Sequence, residues 1–188
     1  KTKECYYTRQ NNRQRTHWPH WIGEPVEVDI TARKRVLITG AGSYIGESFC
    51  EYASEFYKDN FQIETLDMLN PIWREHDFSS YDIVYHVAGI AHADVGKVDD
   101  ATKAKYYKVN NRFDYRSNVK SKGRGVKEFI FMSSMIVYGD SAPYGKNKII
   151  DQNTVPEAEN FYGDSKLQAD VAVRGLADSS FKVVVIRP

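Results

Sequence analysis

Cysteine is scarce in this chain. Cys5 and Cys50 stand far apart, with no Cys-x-x-Cys spacing. That argues against a disulfide framework or a structural zinc site, so no metal is expected, and the expected setting is reducing and cytoplasmic. An excess of one charge is lacking too: 26 Lys plus Arg face 25 Asp plus Glu, a net charge of +1. The basic footprint of a nucleic-acid binder is therefore absent at whole-chain level. No apolar run approaches the roughly 18 residues of a membrane-spanning helix. The opening Lys1-Thr2-Lys3-Glu4 is polar and unlike a signal peptide. What remains is ample core material: 41% hydrophobic residues, with 13 Tyr and 9 Phe. Wholesale disorder is ruled out. A length of 188 residues suits one domain.

Residues 1–34 differ from the rest. They are rich in Arg, Asn, Gln and His, are interrupted by Trp18-Pro19-His20-Trp21, and hold no helical or strand period. They read as a poorly ordered basic arm. The competing reading is a nucleic-acid or partner arm, since Arg9, Arg13, Arg15 and the tryptophans combine charge with stacking faces. That reading is disfavoured, because charge-rich tails are usually only solvated.

From Arg35 the pattern changes. Short apolar runs at Val36-Leu37-Ile38, Phe61 to Leu66, Tyr81 to Val87, Phe129 to Met132 and Lys182 to Ile186 read as strands, with Ile72-Trp73 as a short further one. Between them lie helical stretches. One carries Ile45, Phe49, Tyr52, Ala53 and Phe56 on one face, and others span Ala101 to Lys120 and Phe161 to Leu176. Such alternation predicts an α/β fold, a doubly wound, mostly parallel Rossmann sheet over residues 35–188. Ligands in these sheets sit beyond the carboxyl ends of the strands. Here those ends are Thr39-Gly40, Asp67, Ala88-Gly89 and Ser133-Ser134.

Thr39-Gly40-Ala41-Gly42-Ser43-Tyr44-Ile45-Gly46 falls between a buried strand and an amphipathic helix. A helix amino terminus offers unpaired N–H groups to a pyrophosphate, and glycines let the backbone approach it. In that reading Gly40 makes the tight turn and Gly46 brings the helix against the sheet. An ordinary strand–helix loop is the bland alternative. Asp67 follows the next strand, about 20 residues on, where a carboxylate accepts from a ribose 2′-OH and repels a 2′-phosphate. This favours NAD over NADP. Its alternative is a turn or capping aspartate.

Tyr162 and Lys166 stand at i and i+4 on one helix. A cation beside a phenol lowers its pKa from about 10, which makes a usable base. Alone, the pair reads as a solvated helix pair. Ser134, ending another strand on the same rim, can bond the oxygen that Tyr162 deprotonates.

Taken together, these residues resemble the extended short-chain dehydrogenase/reductases, in the NAD-dependent epimerase/dehydratase branch. The resemblance runs from Arg35 to Pro188. It rests on the glycine turn, Asp67, His86-Val87-Ala88-Gly89, Val109-Asn110, Ser133-Ser134 with Val137-Tyr138-Gly139, Tyr162-Gly163-Asp164-Ser165-Lys166 and Val185-Ile186-Arg187-Pro188. It implies that Gly40, Ser43, Tyr44, Ile45 and Gly46 line a pyrophosphate and that Asp67 takes the adenosine ribose. It also implies that Asp77 and Phe78 flank the adenine, and that Val87, Ala88 and Gly89 run along the cofactor, with Asn110 close by. Ser134, Tyr162 and Lys166 would be catalytic. Lys166 would hold the nicotinamide ribose and tune the tyrosine. Ser43 replaces the family's middle glycine, a change expected to be tolerated and to add a hydroxyl donor.

The implied chemistry is nucleotide-sugar epimerisation. Tyr162 takes a proton from a sugar hydroxyl while the sugar carbon gives a hydride to the nicotinamide, and the hydride returns to the other face. A nucleotide-sugar reductase and an NAD-binding module without turnover are the alternatives. Dehydration is disfavoured, because Met135 and Ile136 follow Ser134 where that reaction needs acid/base groups. The resemblance also implies a substrate domain after 182–186, so the expected fold is a Rossmann domain truncated before it. A homodimer through a two-helix pair is a further implication, although the apolar period fades over Arg112 to Lys120.

Overall fold

Strands and helices alternate along the computed structural model, which describes residues 3–4, 33–90, 98–140 and 142–188. Strand β2 (Lys34–Thr39) lies inside the sheet, with Val36, Leu37 and Ile38 almost wholly buried. It pairs in parallel with β3 (Phe61–Leu66) on one side and β4 (Ile83–His86) on the other. Beyond β4 follow β5 (Glu128–Met132) and β6 (Lys182–Ile186), also parallel. A two-residue strand β1 (Lys3–Glu4) adds antiparallel to the outer edge of β3, giving the order β1-β3-β2-β4-β5-β6. The rest of the expected arm, up to residue 32, lies outside the described residues. The doubly wound sheet predicted from the sequence is therefore present.

Each face of the sheet carries its own core. Helix α1 (Tyr44–Phe56) covers one face, over Val36, Ile38 and Tyr85. Its buried residues are Gly46, Cys50 and Ala53, whereas Ile45 and Phe56 are exposed. The contact stripe is thus turned from the one the bulky residues predicted. Small side chains let the helix axis settle close to the strands, and the larger ones wedge in at its flanks. The other face is the larger core, in which Leu37, Val84, Phe129, Phe131 and Phe181 pack under α3 (Asp114–Gly123) and α4 (Phe161–Arg174).

Two expectations need correction. Ile72-Trp73 is not a strand. It sits in a 3-10 turn, Pro71–Arg74, which Asn70 caps by accepting from the Ile72 N–H at 3.1 Å. Proline cannot donate to a sheet ladder but suits the first position of a helical turn. The helix expected over Ala101 to Lys120 is divided into α2 (Asp100–Tyr106), a π-helical stretch Tyr107–Phe113, and α3. The fading apolar period has a plain cause. The buried side of α3 is small and polar: Ser117, Asn118 and Ser121 are all fully buried against its neighbours. Asn118 donates to the Val173 carbonyl of α4 at 3.0 Å, and Ser121 to the Ser117 carbonyl at 2.7 Å.

Candidate active site

At the carboxyl rim the glycine turn threads between two strand ends. The Gly40 and Ala41 N–H groups donate to the Leu66 carbonyl at 2.9 and 3.2 Å. On the other side Gly40 lies so near β4 that a Cβ would stand 2.8 Å from the Ala88 nitrogen. With φ at +107° it is also in a region closed to most side chains. Gly46 sets the helix down on Ile38 and Val87. Ser43 is the N-cap of α1, with extended backbone (φ −76°, ψ 144°), and its oxygen accepts from the Gly46 N–H at 3.2 Å. No left-handed conformation is asked of it, so serine fits where the family usually has glycine. Its hydroxyl proton is left to donate. Tyr44 projects into solvent beside it.

Asp67 follows β3 and accepts from the Leu69 N–H at 2.8 Å through one carboxylate oxygen. It therefore makes a turn and also faces a recess of about 230 Å³, lined by Leu66, Asn70, Ile72, Trp73, Glu75 and His76 as well. Asp77 is not among these. Its carboxylate closes a turn onto Ser79, accepting from the backbone N–H at 3.0 Å and from the hydroxyl at 2.7 Å, and these bonds hold it below the usual carboxylate range. Phe78 requires a correction: its ring is wholly buried in the larger core and presents no face to the recess. The side chains that do line it, Asn70, Glu75 and His76, were missed. Only the folding back of the 3-10 turn brings them there.

The other end of the rim is assembled from β4, β5, α4 and the π-helical stretch. Ser134 opens a 3-10 turn, Met135–Tyr138, its oxygen accepting from the Ile136 N–H at 3.3 Å. The Ser134 side chain also lies beside the Tyr162 phenol, where it favours the phenolate. Burial pushes the Tyr162 pKa up, Ser134 opposes this, and the neighbouring Tyr106 adds to the rise; the net direction is upward. Asn110, fully buried, accepts from the Ile90 N–H at 2.8 Å. Its amide nitrogen donates to the Ile90 carbonyl and to the Ser165 hydroxyl, both at 3.2 Å. It thus clamps the chain leaving β4 to α4. A π-helical stretch is a common way to aim one such side chain inward.

Lys166 departs from its expected pose. Its ammonium lies 5.3 Å over the Phe131 ring and reaches the Met132 carbonyl at a long 3.5 Å. A Cβ on Gly89 would lie only 2.8 Å from the ammonium. The influences that set the direction for Tyr162 are burial, Ser134 and Tyr106. The Lys166 side chain runs inward toward β5 instead of along the helix surface. An ammonium this buried, with so long a bond, suits a ligand rich in hydroxyl acceptors laid along Gly89.

A strand–glycine turn–helix at one end of a rim, with Ser134, Tyr162 and a buried lysine at the other, defines a dinucleotide-binding α/β domain. The chain belongs to the NAD dependent epimerase/dehydratase family, whose family model matches residues 36–188. It is 28% identical to a UDP-glucose 4-epimerase of Vibrio cholerae over 170 residues, 82% of this chain and 51% of that protein. Among solved structures it resembles a short-chain dehydrogenase/reductase superfamily protein of Agrobacterium tumefaciens with bound NAD, at TM-score 0.64 and 18% identity. That match covers 81% of this chain and 48% of the other. It also resembles an NAD-dependent NDP-hexosamine 5,6-dehydratase, at TM-score 0.65 and 18% identity, over 81% and 54% of the two chains. The chain thus spans about half the length of the relatives it matches. Among the described residues no helix is long and apolar enough to cross a membrane.

Proposed function

We propose that this chain binds NAD along the rim from Asp67 to Lys166 and acts on a nucleotide sugar as an epimerase. The cradle fits a dinucleotide. Beside Gly42 a Cβ would meet nothing within 4 Å, the α1 amino terminus opens onto that space, and Asp67 borders the recess at the adenosine end. Bound there, the nicotinamide supplies the hydride chemistry, and the protein supplies position and proton transfer. Tyr162 takes the proton of a sugar hydroxyl, and Ser134 bonds the same oxygen. Lys166 and Asn110 hold the floor beside Gly89.

The observation that carries this reading is the Ser134 side chain set beside the Tyr162 phenol at the opposite end of the rim from the glycine turn. The test is Tyr162→Phe. Interconversion of UDP-, GDP- or dTDP-sugars should fall by at least about 100-fold, the scale of a lost general base, with NAD affinity retained. Turnover equal to the parent's would remove Tyr162 from the chemistry. One observation favours a second reading, an NAD-binding module without turnover: burial raises the Tyr162 pKa, and the Lys166 ammonium is spent on the Met132 carbonyl and the Phe131 ring. NAD binding without conversion of any nucleotide sugar would establish it.

A further inference from the structure

Asp170 is a fully buried carboxylate, two turns beyond Tyr162 on α4. It accepts from Arg174 Nε at 2.7 Å and, as a fork, from Arg187 Nε at 2.8 Å and Arg187 Nη2 at 2.9 Å. Paired geometry of this kind is the strong form of a charged hydrogen bond. Burial pushes the Asp170 carboxyl up, but the bonds from Arg187 and then Arg174 outweigh it and hold it below the usual range. Arg187 has a further partner. Its Nη1 donates to the Tyr138 hydroxyl at 2.5 Å, and its guanidinium lies 5.2 Å over the Tyr138 ring.

Tyr138 is the last residue of the short turn that Ser134 opens. The other end of that turn is tied to the same stretch of chain. The Met135 N–H donates to the Pro188 carbonyl at 3.0 Å, and the Ser133 N–H to the Ile186 carbonyl at 2.8 Å. Between them, Gly163 of α4 approaches so closely that a Cβ would lie 2.9 Å from the Ile136 carbonyl oxygen. The turn carrying Ser134 is therefore held at both ends by residues 186–188. Those residues are locked by Asp170 to the helix that carries Tyr162.

We propose that Asp170, acting through Arg187 and Tyr138, is a positioning residue that sets the Ser134 hydroxyl against the Tyr162 phenol. This rests on the reading of Ser134 and Tyr162 as the proton-transfer pair. A carboxylate needed only for stability could hand its place to any group that satisfies the arginines. A positioning carboxylate must hold Arg187 at one distance and angle, or the turn shifts and Ser134 moves off the phenol. The groups acting on the phenol are Ser134 from the turn and Tyr106 from α2, so a displaced Ser134 is read out in Tyr162 itself.

The test follows Tyr162 in the full chain by NMR of tyrosine labelled at Cζ, its resonance assigned by loss in Tyr162→Phe. Tyr138→Phe removes one hydroxyl at the far end of the relay and is the least disturbing change. It should raise the Tyr162 titration midpoint by about half a pH unit. Asp170→Asn should raise it further, and Asp170→Glu should bring it back toward the parent. An unmoved midpoint in a folded Tyr138→Phe chain overturns the proposal, whether or not Asp170→Asn folds. NAD affinity, measured beside the titration, should change less than twofold in Tyr138→Phe; its loss together with the folded signal would make the network merely structural and overturn the proposal too. Neither readout needs a sugar. A moved midpoint in a chain that converts no nucleotide sugar keeps the positioning role and ends the epimerase reading, while conversion with an unmoved midpoint does the reverse.

Discussion

Between β2 and α1 the site is made of backbone. The Gly40 and Ala41 amides are tied to Leu66, Gly40 lies against Ala88, and Gly46 brings the helix down on Ile38 and Val87. Between β5 and α4 it is made of buried side chains: Lys166 over Phe131, Asn110 on Ile90 and Ser165, and Asp170 forked by Arg187. The first half fails when atoms are added. The second fails when a charge or hydroxyl is taken away, because a buried partner is then left unpaired. Tight turns depend on the absence of a Cβ, whereas charge relays depend on long side chains meeting from distant segments. The two halves are therefore open to opposite kinds of substitution.

The sharpest way to break the backbone half is Gly40→Ala. The new Cβ would stand 2.8 Å from the Ala88 nitrogen and 3.0 Å from its Cα, and neither is the end of a flexible side chain. A left-handed φ of +107° adds its own cost. Crowding and backbone strain together should destabilise the fold by about 3 kcal/mol. That corresponds to roughly 6–12 °C in Tm for a domain of this size. Thermal unfolding of the parent and variant checks it, and a shift under about 2 °C would show that β4 gives way easily at Ala88.

How far each half could be read from the sequence follows the same division. The glycine turn, its strand and its helix are local, so spacing along the chain revealed them. The alternation of strands and helices revealed the sheet in the same way. Bringing Ser134 to Tyr162 needed only the rule that strand ends share a rim. The failures lie where a side chain's direction decides. Phe78 looks like a cofactor neighbour in sequence, but the turn at Asp77 and Ser79 rotates its ring into the core. Lys166 has helical spacing to Tyr162 yet runs inward to Met132. The buried side of α3 carries Ser117, Asn118 and Ser121, which no apolar period could disclose. Arg187 and Tyr138 both belong to motifs that carry the family resemblance, but nothing along the chain links them to Asp170.

Asp67 lies between the two kinds of construction, since its carboxylate both closes a turn and borders the recess. Asp67→Asn separates these roles. Asparagine keeps the oxygen that accepts from the Leu69 N–H and removes only the charge. If the charge reads a ribose, affinity for NADP relative to NAD should rise by about tenfold, near 1.4 kcal/mol. Stability should stay within about 0.5 kcal/mol, as for a surface change. Titrating both nucleotides against the two proteins gives the ratio directly. An unchanged ratio would make Asp67 a turn residue alone.

The smallest effect isolates conformation from crowding. Gly42 has φ +79°, but a Cβ there would meet nothing within 4 Å. Gly42→Ala therefore costs only the left-handed backbone, about 1 kcal/mol, or roughly 2–4 °C in Tm. Set against Gly40→Ala, it measures within one turn how much the contact with Ala88 adds. The same substitution places a methyl group in the open space where the phosphates are proposed to lie. NAD affinity should then fall by more than the stability loss accounts for, by about tenfold, if that backbone is the cradle. A variant that loses its 1 kcal/mol and binds NAD as the parent does would move the pyrophosphate away from Gly42, leaving the Ser43 cap and the α1 amino terminus to hold it.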